Sequence, residues 1–317
     1  MSPDFRLNTV DIVTTRNSLR KLLDFCSGRS LQSFRVHISL VHNTLFIEQY
    51  DSAFMAFQST GWGHNFEKAF TRFPPGLEAS TTHDRFLRYP IGDLDCVVGF
   101  EVDACYEGSP EIPLTSLQSE MEQLQINPSS PKTKAPLSNL LNAPVMPQST
   151  AAEMKSKARK PGRPGTSTGT RSGGTGIGIS SYLPQLWFGR TPWLIVGSHV
   201  EGTFEHVSVV NAAAHFERWE AERQVELRKL AALLGELREA VRGVVGTRSG
   251  SGSGSVDGQR CAVVYERGEG AKAIKIYVLG KGEVVVSDEN FLRFWGGVIL
   301  PRSIYSSQHT TTLGTGM

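Results

Sequence analysis

The sequence predicts an α/β or α+β domain. Alternating apolar runs mark strands along most of the chain, and apolar residues at helical spacing mark a short early helix and a long late one. The two kinds of segment are interleaved, as a mixed layered domain requires. Residues 14–27 place Leu19, Leu22, Leu23 and Cys26 on one helical face, with Thr14 or Thr15 as N-cap. SFRVHISLV and TLFIEQ then alternate on either side of His42-Asn43, a hairpin signal. GWGHNFEKAFTRF reads as a turn entering a helix that buries Phe66 and Phe70. A second hairpin runs from RFLRYP through Ile91-Gly92-Asp93 into LDCVVGFEVDAC.

Further along, residues 181–189 are expected to be helical, and WLIVGSH and TFEHVSVV pair around Glu201-Gly202. The longest helix is expected from Ala212 to Val244, with Phe216, Trp219, Val225, Leu230, Leu233, Leu234 and Leu237 near a 3.6-residue period. CAVVYER, AKAIKIYVL and EVVVS read as strands, and Asp288-Glu289-Asn290 opens a last short helix, FLRFW. One catalytic domain is therefore expected in pieces: 1–105, a catalytic strand at 151–156, 181–246, and C-terminal strands and helix at 259–297. Between them, composition predicts a disordered Ser/Pro/Gln/Asn insertion at 106–150, a basic Gly/Ser linker at 157–180, a Gly/Ser linker at 247–258 and a flexible tail at 298–317. The remaining 200 or so residues suffice, roughly, for one sizeable core.

A net charge of +2 excludes no class of partner, but from Met154 to Val200 there are seven Lys or Arg and no acid. Such a field suits a polyanion, although a solvated basic loop gives the same pattern. Cys26, Cys96, Cys105 and Cys261 show neither CxxC pairing nor metal-ligand spacing, which argues against a zinc site or a disulfide framework and for a reducing compartment. The N-terminus carries no signal pattern and no apolar run reaches bilayer length. The expected protein is soluble and not secreted, without a membrane partner.

Chemistry concentrates in acidic pairs. Glu101 and Asp103 follow an apolar run two residues apart, Glu153 and Lys155 repeat the spacing, and Glu67 lies upstream in GHNFE. Side chains two apart on a strand share a face, so each pair is expected to face one cleft. Taken singly, an ExD is commonly a solvent-facing stripe and an ExK a weak surface ion pair. Together, Glu67, Glu101, Asp103 and Glu153 carry four negative charges that two Mg²⁺ or Mn²⁺ ions would neutralise, hard oxygen ligands favouring these metals over zinc. Lys155 is placed to orient a water or offset phosphate charge. The glycine run SGGTGIGIS lacks the GK[ST] ending of a phosphate loop, and KPGRPG is a single short copy of a minor-groove hook.

The order of these motifs resembles the DXO family of RNA 5′-end decapping nucleases, whose fold is related to PD-(D/E)XK nucleases. VTTRNSLRKLL looks like the family's first motif, GHNFE like its GΦxΦE motif with His64 in the first apolar position, Glu101 and Asp103 like its ExD and Glu153 and Lys155 like its ExK, with QLWFGRTPWLIVG supplying a glutamine. The resemblance implies two mixed sheets with the active site in the cleft between them. It implies metal ligation by Glu67, Glu101, Asp103, Glu153 and the main-chain carbonyl of Met154, and substrate contacts by Arg16 and Gln185. The activity implied is removal of pyrophosphate, incomplete caps or NAD caps from RNA 5′ ends, with 5′-to-3′ exonuclease action in some members. A 5′-to-3′ exoribonuclease becomes a candidate partner and the nucleus the expected location, with the cytoplasm as the alternative. Two other readings stay open: a catalytically weak RNA-end binding or adaptor paralogue, and a PD-(D/E)XK-like DNA nuclease.

Overall fold

The computed structural model describes residues 5–29, 32–50, 62–73, 77–78, 80, 82–107, 146–159, 178–248, 260–268, 273–279, 286 and 288–295. Most of the expected insertion and both linkers, the tail, the two glycine-rich motifs and nearly all of EVVVS lie outside them. Strand β1 (Ile12–Thr15) is a run of four β-branched residues and leads directly into helix α1 (Arg16–Cys26). Thr15 is the N-cap, its side chain accepting from the Ser18 N–H. Strands β2 (Phe34–Val41) and β3 (Thr44–Gln49) form the first hairpin, its turn carried by His42 at φ 53°. Helix α2 (Trp62–Phe70) follows, then the hairpin of β4 (Asp84–Ile91) and β5 (Leu94–Glu101).

The chain then changes sheet. Strand β6 (Ala104–Cys105) pairs with β7 (Ala151–Ala158), which lies parallel to β8 (Trp193–Val200). Helix α3 (Leu183–Phe188) precedes β8, and β9 (Thr203–Asn211) closes the hairpin. Helices α4 (Phe216–Glu222) and α5 (Gln224–Arg248), strands β10 (Arg260–Tyr265) and β11 (Ile274–Val278), and helix α6 (Asp288–Trp295) complete the described elements. The two sheets run β11-β10-β2-β3-β1-β5-β4 and β6-β7-β8-β9, both mixed, as expected. Among the described residues no helix is long and apolar enough to cross a membrane.

The larger sheet holds the main core on one face. Ile12, Val36, Ile38, Ile47, Cys96, Val98, Cys261 and Val263 meet Leu19, Leu22 and Leu23 of α1 and Leu227, Leu230, Leu234 and Leu237 of α5. Each such buried aliphatic side chain contributes about 1.5–3 kcal/mol of transfer free energy. On the opposite face Val97 and Val41 pack with Leu7, Val10, Phe291 and Trp295 of α6. Under the smaller sheet, Leu194 and Val196 meet Leu186 of α3.

Three expectations are corrected. The long helix is divided at Arg223 (φ −114°, ψ 13°), which lets Trp219 of α4 pack on Trp187 at 5.2 Å while α5 turns its own leucines to the sheet. Val225, assigned to that apolar face, is 63% exposed because it sits off the stripe defined by Leu227, Leu230 and Leu234. Glu101 and Asp103 do not share one strand: Glu101 ends β5, and Asp103 lies in the link to β6 of the other sheet.

Candidate active site

That change of sheet builds the site. Val102, 7% exposed, is buried with Phe100 and Ala151, so the main chain of the link between sheets is anchored between its two acids. Asp103 meets the edge of β7, where its Oδ2 accepts the Met154 N–H at 2.8 Å. Beyond Ala152 this edge has no partner in β6. Because the N–H and C=O of one strand residue point to the same edge, the Met154 carbonyl faces the same side as Asp103.

Glu153 is the centre of the arrangement. Only 2% of its side chain is exposed, and its carboxylate is fully engaged: Oε2 accepts from Arg16 Nη1 at 2.9 Å, while Oε1 accepts from Lys155 Nζ and from Gln185 Nε2. The two cations are what make a carboxylate tolerable at this depth. Lys155 lies on the same face of β7 as Glu153, as the spacing requires, and its Nζ is 4.0 Å from Asp103 Oδ2. Arg16 stands at the junction of β1 and α1, its guanidinium 5.3 Å from the Phe100 ring centroid and within 3.5 Å of the Glu101 carbonyl. A Cβ on Gly189 would lie 3.2 Å from the Arg16 side chain, so the glycine leaves that space to the arginine.

Glu101 itself is exposed. Glu67 enters from α2, which packs on the smaller sheet through Phe66. Phe66 stacks on Phe204 at 4.7 Å and fills the space above Gly197, where a Cβ would come within 2.5 Å of its ring. Burial raises the Glu67 carboxyl above its usual range. His64 and Lys155 oppose that rise, and Glu101 and Glu153 add to it. Asp103 is raised further, to about 7: burial is the largest cause, the Glu153 charge adds to it, and the Met154 N–H and Lys155 oppose it.

Sequence reasoning missed Arg20. Its Nη1 donates to Gln185 Oε1 at 2.9 Å, and since a guanidinium only donates, this orients the Gln185 amide with its nitrogen toward Glu153. Arg20 is one helical turn from Arg16, a spacing by which it could have been found. Burial, then the neighbouring Arg16, lowers its pKa. Phe100 under Arg16 was also missed.

The donors brought together are hard oxygens, the right chemistry for Mg²⁺ or Mn²⁺. Among the described residues, however, no three His, Cys, Asp or Glu side chains stand close enough to hold an ion as placed. Lys155 and Arg16 take up the Glu153 charge instead.

The family described as a domain of unknown function, DUF8563, matches residues 1–295. No curated protein matches. Among solved structures, S. pombe Rai1 is similar at a TM-score of 0.50 and 11% identity, over 86% of this chain and 72% of that one. A mutant of S. pombe Rai1 in complex with 3′-FADP is similar at 0.50 and 10% identity over the same shares. These are structures of the decapping family that the sequence motifs resemble. The likeness shows the fold: two mixed sheets with flanking helices.

Proposed function

The chain belongs to the DUF8563 family, a domain of unknown function, and we propose that it is a divalent-metal-dependent hydrolase of RNA 5′ ends, removing pyrophosphate or an incomplete or NAD cap. One observation carries this reading: where the chain passes between the sheets, the buried Glu153 meets Arg16, Lys155 and Gln185, with Lys155 Nζ 4.0 Å from Asp103. The Rai1 fold, seen in S. pombe Rai1 with 3′-FADP bound, supports it.

Glu67, Glu101, Asp103, Glu153 and the Met154 carbonyl would hold Mg²⁺ or Mn²⁺, two ions matching the four charges. When bound, such ions supply Lewis acidity and a more acidic water. The protein's own groups do the rest. Lys155, between Glu153 and Asp103, holds a positive charge where a phosphate oxygen gains negative charge. Arg16 presents a guanidinium, 5.3 Å from the Phe100 ring centroid, that would match a phosphate of the substrate. Gln185 keeps the Glu153 carboxylate oriented through the Arg20 relay. A 5′-to-3′ exoribonuclease as a further partner, and a nuclear setting, belong to this same reading.

A second reading, an RNA-end binding or adaptor protein, is favoured by the full engagement of Glu153 with cations and by the absence of a ready ion cage among the described residues. Product analysis separates the two. Matched RNAs with 5′-triphosphate, unmethylated cap, NAD or monophosphate ends are incubated with the full chain in Mg²⁺, Mn²⁺ or EDTA. Metal-dependent release of pyrophosphate, cap dinucleotide or a nicotinamide-containing product, lost in Glu101→Ala/Asp103→Ala, is expected. Binding of triphosphate RNA without any product selects the adaptor. Equal cleavage of DNA in competition selects a DNA nuclease.

A further inference from the structure

The face of the larger sheet opposite the α1/α5 core is covered by α6 over β1, β3 and β5. Toward β2 and β10 it presents a different surface. Val36 and Ile38 are buried on the core side, so strand alternation puts Arg35 and His37 on this other face. Tyr50 joins them at the end of β3, 40% exposed, and Tyr277 of β11 at 48%. The Arg35 guanidinium carbon lies over the Tyr50 ring, 4.2 Å from its centroid, and His37 contacts the same ring at 4.6 Å.

Arg35 is held by His37, and among the described residues it has no acidic partner. Its Nε donates to His37 Nε2 at 3.1 Å, a bond that requires an unprotonated Nε2 and so a neutral imidazole. Burial, then Arg35 and Arg260, lowers the His37 pKa, which is consistent with that bond and places Arg260 nearby. The nearest acid by register is Glu48, across from His37, yet among the described residues no carboxylate lies within ion-pair distance of Arg35. Among the described residues the two Nη groups make no hydrogen bond, which leaves a fork suited to two oxygens of one phosphate.

The position of this fork relative to the site gives it a use. β1 and β5 run parallel and end at Arg16 and Glu101, β3 is parallel to β1 and ends at Tyr50, and β2 is antiparallel to β3 and begins next to Arg35. All of these groups therefore stand at one end of the sheet. At about 4.8 Å per strand, three spacings separate β2 from β5, roughly 14 Å, a distance that a short stretch of single-stranded RNA spans. By alternation, Glu101 projects to the same face as Arg35.

Resting on the RNA-end reading above, we infer that Arg35, seated on Tyr50 and His37, is a downstream subsite that grips a backbone phosphate of an RNA whose 5′ end lies among Glu101, Asp103 and Glu153. A guanidinium held on an aromatic ring also offers its outer face to a base, so the subsite tolerates any sequence. The site would then measure length: RNA too short to reach β2 gains nothing from it.

The test is fluorescence anisotropy with 5′-phosphorylated oligouridylates of two to ten nucleotides in Ca²⁺, using the full chain, Arg35→Gln and Tyr50→Leu, with melting temperature as the folding control. Wild type gains affinity with length. Both variants lose at least about threefold on the longer RNAs, so their ratio of long to short affinity collapses, and Arg35→Gln flattens the log–log salt slope by about 0.7, the loss of one single-strand phosphate contact. Identical length dependence in wild type and in folded variants overturns the subsite and leaves the RNA-end reading intact. Absence of any RNA binding by wild type overturns both. Tighter binding of hexaglutamate than of RNA, with the same dependence on Arg35, assigns the fork to an acidic protein and overturns the RNA assignment.

Discussion

Glu153 and Glu101 are both acids of the same site, and the protein treats them in opposite ways. Glu153 is buried on β7 and carries two cations and an amide on its two oxygens. Glu101 ends β5 in solvent; among the described residues its side chain makes no hydrogen bond, and its main-chain carbonyl lies 3.5 Å from Arg16 Nη2. A buried carboxylate must be neutralised to be tolerated, so it doubles as a structural element; an exposed one can be kept for chemistry alone. The two sheets thus contribute a fixed half and a free half.

Removing the fixed half has the largest expected effect. Glu153→Ala leaves Arg16 and Lys155 without their acid and should cost about 3–5 kcal/mol in denaturant unfolding. Glu101→Ala should stay within about 0.5 kcal/mol of wild type while abolishing turnover. Equal destabilisation by the two variants breaks the comparison.

Asp103 sharpens it through pH. Its folded-state pKa is about 7 against an ordinary 3.8, so the folded chain holds that proton more tightly than the unfolded one. Protonation therefore stabilises the fold: the contribution is complete below pH 4 and is lost as pH rises toward and through 7. The slope is at most about 1.4 kcal/mol per pH unit. Thermal melts of metal-free wild type across pH 4–8 should show this loss against an otherwise similar Asp103→Asn profile, and superimposable profiles would remove Asp103 from the buried half. A smaller effect tests how α2 carries Glu67: Gly197→Ala drives a Cβ into Phe66 and should cost about 1–3 kcal/mol, measured by denaturation.

The same contrast explains what was legible in the sequence. Glu153 and Lys155 are neighbours on one strand, so their contact followed from a period of two. Alternation put Glu101 and Asp103 on one strand face, but the chain leaves one sheet between them, a non-local event that alternation cannot report. The hairpins at His42, Gly92 and Gly202 were readable because turn and register are local. β1 was not, since it has four residues and pairs in parallel with strands some thirty and eighty positions away. The break at Arg223 was hidden because the apolar period continues across it. Arg20 was hidden because its partner Gln185 is 165 residues away.

Whether the fixed half releases Glu153's oxygens to a metal is the central claim, and calorimetric titration of Mn²⁺ into the full chain and into Glu101→Ala/Asp103→Ala tests it most directly. Saturable binding by wild type, lost or greatly weakened in the double variant while its fold persists, is the predicted result. Absence of Mn²⁺ binding by folded wild type would contradict it, leaving Arg16 and Lys155 as permanent partners of Glu153.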